Sequence, residues 1–138
     1  MLKGIPHILS PELLKILDEM GHGDEIIIAD GNFPGASLAR NLVRLDGHGA
    51  AEVLRAVLQL FPLDHYEPPV YLMQKVPGDH VETPIWDEFA EILALHTSAP
   101  VTYLERYAFY ERAKNAYAVI MTGERALYAN ILLKKGVV

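Results

Sequence analysis

Tyr117-Ala118-Val119-Ile120-Met121, then Thr122-Gly123-Glu124, then Leu127-Tyr128-Ala129-Asn130-Ile131-Leu132-Leu133 is the stretch on which the fold reading turns. Two short apolar runs flank a Gly-containing turn, the pattern of two strands. Their closeness predicts an antiparallel contribution to the sheet. Upstream, Val101–Arg106 reads as a strand and Phe109–Ala116 as a short helix. Thr83-Pro84 opens a helix that places Phe89, Ile92, Leu93 and His96 near one face. Val70–Val76 reads as a strand closed by Pro77-Gly78-Asp79. Val53, Leu54, Val57, Leu58 and Phe61 stand at helical spacing, after a short strand at Leu42–Leu45. Asp30–Gly35 is a loop on every local signal, and Glu25–Ala29, with three isoleucines in a row, is a buried strand. Ser10, Pro11 and Glu12 start a helix whose apolar face is Leu13, Leu14, Leu17 and Met20. About six strands and four helices in alternation predict an α/β fold, a mixed sheet flanked by helices in one domain spanning 1–138.

Composition narrows the function. The 138 residues carry 12 Lys plus Arg against 18 Asp plus Glu, a net charge of −6. An acidic chain is a poor ligand for nucleic acid or an anionic membrane, so neither is expected as a partner. There is no cysteine. That excludes disulfides, thiolate nucleophiles, zinc–thiolate sites and iron–sulfur clusters, and it fits a reducing, cytoplasmic setting. The apolar share is about 53% when Gly is counted and Tyr is not, slightly above the usual 45–50%. The excess points to apolar surface hidden between subunits. The N-terminus has no signal-peptide pattern, and no apolar run is long enough to span a membrane.

Six histidines are present, but none stands in a His-Glu-x-x-His motif, so no metal site is expected. No Gly-x-Gly-x-x-Gly, Walker or Gly-x-Ser-x-Gly pattern occurs, so no nucleotide cofactor or serine nucleophile is expected. Met20-Gly21-His22-Gly23-Asp24-Glu25 is the unusual segment. Glycines on both sides leave the His22 ring uncovered, as for an imidazole presented to a pocket. Asp30 follows the next strand, at the carboxyl end where open α/β sheets bind ligands. The two side chains can form an acid/base pair. They fit equally a helix C-cap and a turn cap. Arg106–Arg112 and Tyr128-Ala129-Asn130 carry aromatics and donors that can line a sugar pocket, or simply pack.

The chain resembles the L-fucose mutarotase and D-ribose pyranase family, and is closer to the fucose branch. The resemblance runs through Leu9–Leu14, Met20–Ile26, Ala29–Pro34, Arg44–Gly47, Phe109–Lys114, Thr122–Glu124 and Tyr128–Val137. It departs at Gly31-Asn32, where some relatives carry Ala-His, and at Ala129, where some fucose relatives carry Gly. The resemblance implies a cofactor-free aldose mutarotase and a ring-like homodecamer with sites at subunit contacts. It puts the catalytic histidine at His22. It puts sugar binding at Asp30, Arg106, Tyr128, Ala129 (through its backbone) and Asn130. The alternatives are a D-ribose pyranase and a non-catalytic sugar-binding partner of a transporter. A shared site is expected to set His22 and Asp30 of one subunit against Tyr128 and Asn130, or part of Arg106–Arg112, of another.

Overall fold

Ile26, Ile27, Ile28 and Ala29 are completely buried in strand β1 (Glu25–Ala29) of the computed structural model, which describes residues 1–138. A strand apolar on both faces needs a neighbour on each edge and a helical layer on each side. The neighbours are β5 (Ala118–Thr122), parallel to it, and β6 (Ile131–Lys134), antiparallel to it. Beyond β5 lies β2 (Leu42–Leu45), and beyond β6 lie β3 (Val70–Met73) and the edge strand β4 (Thr102–Leu104). The order is β2-β5-β1-β6-β3-β4. β2 runs parallel to β5, β4 runs parallel to β3, and β6 opposes both its neighbours. Five strands thus point one way and β6 alone is reversed.

Alternation along β1 splits the core in two. Ile26 and Ile28 face helices α1 (Pro11–Glu19), α3 (Ala50–Leu58) and α4 (Pro84–Leu93), in a cluster of 26 buried residues. Ile27 and Ala29 face α2 (Gly35–Leu38) and α5 (Arg106–Asn115), in a cluster of 11. The α1 cap forms as its sequence dictates: the Leu13 amide donates to Ser10 Oγ at 3.2 Å, with Pro11 at the first helical position. Such a cap contributes about 1 kcal/mol. No helix is long and apolar enough to cross a membrane.

The mixed α/β sheet of six strands is as expected. Four details differ. First, β5 and β6 do not pair with each other; β1 lies between them. Their connection, residues 123–130, exceeds the two to five residues of a hairpin loop. It is also pinned to the far side. The Gly123 amide donates to the His48 carbonyl at 2.8 Å, and a Cβ on Gly123 would lie 2.0 Å from the Asp46 oxygen. The antiparallel contribution therefore comes from β6 against β1 and β3. Second, β6 begins at Ile131 rather than Leu127, because Tyr128 has φ 58° and breaks the extended chain. Third, β4 stops at Leu104. Glu105 then caps α5, its Oε2 accepting from the Tyr107 and Ala108 amides at 2.9 and 3.1 Å, so Arg106 opens a helix instead of ending a strand. Fourth, β3 ends at Met73, and α2 makes a fifth helix directly after the Asp30 loop.

Candidate active site and a distant histidine

With five strands pointing one way, their carboxyl ends share one rim of the sheet. The reversed β6 delivers its amino end to the same rim. Asp30 follows β1, Asp79 lies in the turn after β3, Arg106 follows β4, and Tyr128 and Asn130 precede β6. They meet in a cleft of about 350 Å³ that Phe33 and Tyr110 also line. This is the position where open α/β sheets place ligands, and the size is within the range of small-molecule sites.

Register makes the Asp30–Asn130 pair. Ile28 lies opposite Ile131, so just beyond the paired residues Asp30 and Asn130 stand diagonally across the two strand ends, close enough for their side chains to meet. Asn130 Oδ1 accepts from the Asp30 amide at 2.9 Å, and Asn130 Nδ2 donates to Asp30 Oδ2 at 3.0 Å. The Asn32 amide donates to Asp30 Oδ1 at 2.9 Å. Both residues are 4% exposed. Burial pushes the Asp30 carboxyl above its ordinary range, and the donors from Asn32 and Asn130 offset part of that rise. Asn130 spends its carbonyl and one N–H on Asp30, so it holds the carboxylate and keeps one N–H for a ligand. Ala129 has its side chain in the core, so only its backbone can face the cleft.

The opposite wall is aromatic and cationic. Arg106 Nε donates to Tyr110 Oη at 3.1 Å, and its guanidinium lies 5.4 Å from the ring centres of both Tyr107 and Tyr110. Phe33 meets Tyr110 edge to face at 5.6 Å. Stacking on rings pre-orients the Arg106 fork and leaves other N–H donors available. The cleft therefore combines a held carboxylate, a held guanidinium and aromatic walls. That chemistry suits a small polyhydroxylated molecule.

His22 is not there. It precedes β1 while Asp30 follows it, and five residues of strand separate the ends by about 13–17 Å. Its partner is Asp64, with His22 Nε2 3.1 Å from Asp64 Oδ1. An ionised carboxylate can only accept, so Nε2 carries the proton and Nδ1 is left for chemistry. Asp64 is buried and accepts from the amides of His65, Tyr66 and Glu67 at 2.9, 3.3 and 3.3 Å. Burial works to raise its pKa. The bonds from Tyr66, His22, His65 and Glu67 outweigh it and hold the carboxyl below the ordinary range. The His22 ring leans on Tyr66 at 5.4 Å. Beside it runs a groove of about 770 Å³ lined by Leu14, Leu17, Leu60, Val137 and Val138.

The expected grouping is thus corrected in two respects. Asp30 does not hold the imidazole; Asp64 does. And Asp30 does not face Tyr128 and Asn130 across a subunit boundary, because all three, with Arg106, share one cleft of one chain. Asp64 and Asp79 escaped the sequence reading as site residues, whereas Tyr110 belongs to the Arg106–Arg112 segment read as able to line a sugar pocket. Asp64 and Asp79 are each followed by residues whose amides they accept from, the mark of an Asp-led turn. That signal predicts a turn and not a site.

A mixed α/β fold with this cleft defines a class of small-sugar-sized sites, and comparison with known proteins narrows it. The model of the RbsD / FucU transport protein family matches residues 3–138. The structure of FucU from Bifidobacterium longum shares 57% identity over 99% of both chains, with a TM-score of 0.96. A fucose mutarotase from Streptococcus pneumoniae, solved in complex with L-fucose, shares 50% identity over 99% of both chains, with a TM-score of 0.95. Bacillus subtilis RbsD, solved with D-ribose, shares 24% identity over 100% of this chain and 99% of its own, with a TM-score of 0.77, a likeness of fold. The chain belongs to the RbsD / FucU family.

Proposed function

We propose that this protein is an L-fucose mutarotase, a cofactor-independent isomerase that interconverts the α and β anomers by opening and closing the ring. The observation that carries the reading is the near full-length similarity, at 50% identity, to the fucose mutarotase solved with L-fucose. The cleft adds chemistry suited to that substrate. A pyranose is a cyclic hemiacetal. Opening it needs a proton on the ring oxygen and loss of one from the anomeric hydroxyl, and closing on the other carbonyl face gives the other anomer. Proton transfer suffices, and one positioned imidazole supplies about 10²–10⁴-fold.

In this reading His22 Nδ1 moves the proton and Asp64 holds the ring. Asp30 accepts hydrogen bonds from sugar hydroxyls, Arg106 donates to them, and Tyr128, the Ala129 backbone and Asn130 complete the fit. A general acid must come within about 3 Å of its substrate atom, and one chain keeps His22 a strand length from the cleft. We therefore propose a homo-oligomer, a ring of ten by family resemblance, in which one subunit's His22 enters its neighbour's cleft. The apolar groove beside His22, with Leu2, Leu60 and Val138 exposed along it, supports such a contact. A cytoplasmic setting is proposed with it, in keeping with a cysteine-free chain.

Exchange NMR on the anomeric protons of L-fucose is the test. The expected result is an exchange rate that grows in proportion to added protein and is larger for L-fucose than for D-ribose. A protein that binds L-fucose without speeding exchange would instead be a non-catalytic sugar-binding partner. A protein that does neither would overturn the reading.

A further inference from the structure

Tyr128 is held at three points. Its backbone is left-handed at φ 58°, a region that residues with a side chain rarely enter. The Trp86 Nε1–H donates to its carbonyl at 2.8 Å and locks that geometry. At the other end, the phenol O–H donates to Asp79 Oδ2 at 2.5 Å, and Oη accepts from the Val76 amide at 3.3 Å. Asp79 is itself fixed, because its Oδ1 accepts from the Val81 amide at 3.0 Å. Asp79 and Tyr128 both line the cleft, 49 residues apart in the chain.

A phenol hydroxyl has one hydrogen and two lone pairs. Here the hydrogen goes to Asp79 and one lone pair faces Val76. What is left for a ligand is a single lone pair, on an oxygen made more electron-rich by the carboxylate behind it. We propose that Asp79 is a positioning residue of the sugar cleft, holding Tyr128 Oη as a hydrogen-bond acceptor toward the bound sugar. The proposal rests on the sugar reading above. It gives the cleft a fixed polarity. Tyr128 and Asp30 take hydrogens from sugar hydroxyls while Arg106 gives them, and a sugar is sorted by which hydroxyls can donate in which direction. The bond to Tyr128 also holds the Asp79 carboxyl below its ordinary range, so Asp79 stays an acceptor throughout the neutral range.

Trp86 is the only tryptophan, and its bond to Tyr128 makes it a built-in reporter of the cleft. L-Fucose is titrated by Trp86 fluorescence, and anomer exchange is measured, in the parent, Asp79→Ala, Asp79→Asn, Tyr128→Phe and the Asp79→Ala/Tyr128→Phe double variant. The expected result is an L-fucose Kd and KM raised on the order of tenfold in Asp79→Ala, with kcat moving less. Asp79→Asn, which keeps one accepting oxygen, falls in between. The double variant is no worse than Tyr128→Phe, because both changes remove one interaction. If Asp79→Ala does not fold, Asp79→Asn and its combination with Tyr128→Phe carry the same comparison. Parental affinity in the Asp79 variants, or effects that simply add in the double variant, would overturn this proposal alone. A parent protein that does not bind L-fucose would overturn the sugar reading and this proposal with it.

Discussion

Replacing Asn130 with Ala removes two hydrogen bonds to Asp30 at once. The first leaves the buried Asp30 amide without an acceptor, a loss of about 1–3 kcal/mol. The second takes a donor from a buried carboxylate, a bond to a charged group of about 1.5–3 kcal/mol. Asn130 lines the cleft, so water can enter the space and recover part of both losses. The expected net is about 2–4 kcal/mol, a fall in Tm of roughly 10 °C for a chain of this size. Unfolding is followed in guanidinium at one fixed protomer concentration, since association raises apparent stability.

The pH dependence sharpens this test. Burial raises the folded Asp30 pKa, so its contribution to stability is full below the unfolded value and is lost as pH rises through the folded one. Removing the Asn130 donor raises that folded value further. The variant's deficit is therefore largest at neutral pH and narrows on acidification, where a protonated Asp30 has less need of donors. A deficit under about 0.5 kcal/mol, or one independent of pH between 4 and 7, would refute the claim that Asn130 exists to hold an ionised Asp30.

Other consequences follow from the same geometry. Because Asp30 titrates above the ordinary carboxylate range, L-fucose affinity is expected to weaken on acidification earlier than a solvent-exposed aspartate would dictate, checked by titration across pH. Asp64→Ala should slow anomer exchange by freeing the His22 ring, and should lower stability at neutral pH. Asp64 is held below its ordinary range, so its contribution is present above the unfolded value and vanishes as pH falls through the folded one; parent and variant melts should converge in acid. Arg106→Ala should abolish measurable sugar affinity and Arg106→Lys should not restore it, because an ammonium cannot reproduce a fork laid between Tyr107 and Tyr110.

The starts of α1 and α4 and the central strand were legible because their signals are local. Ser10-Pro11 caps and opens a helix, and a short run of three β-branched isoleucines just after Gly21 and Gly23 favours a buried strand. Pairing was harder to read. The turn at Thr122-Gly123-Glu124 does not close a hairpin, because Gly123 is pressed against Asp46 and the chain must cross the end of β1 to reach β6. The conformation of Tyr128 left no trace, since a tyrosine announces no left-handed turn and Trp86, which fixes it, is 42 residues away. His22 and Asp30 misled for a physical reason. Eight positions apart looks close, but five of the intervening residues form the extended strand β1, and extension turns sequence neighbours into opposite rims of a sheet. The cleft partners Asp30 and Asn130, a hundred residues apart, are joined only by the reversed strand.

A shared site requires that one subunit's histidine work in another's cleft. His22→Ala and Arg106→Ala subunits, each inactive alone, are dissociated, mixed in equal amounts and reassembled, and L-fucose anomer exchange is measured on rings verified to contain both. Random assembly puts an intact His22 against an intact Arg106 cleft in about a quarter of sites, so exchange should return to about a quarter of the parental rate. Verified mixed rings that stay as inactive as the separate variants would contradict the account.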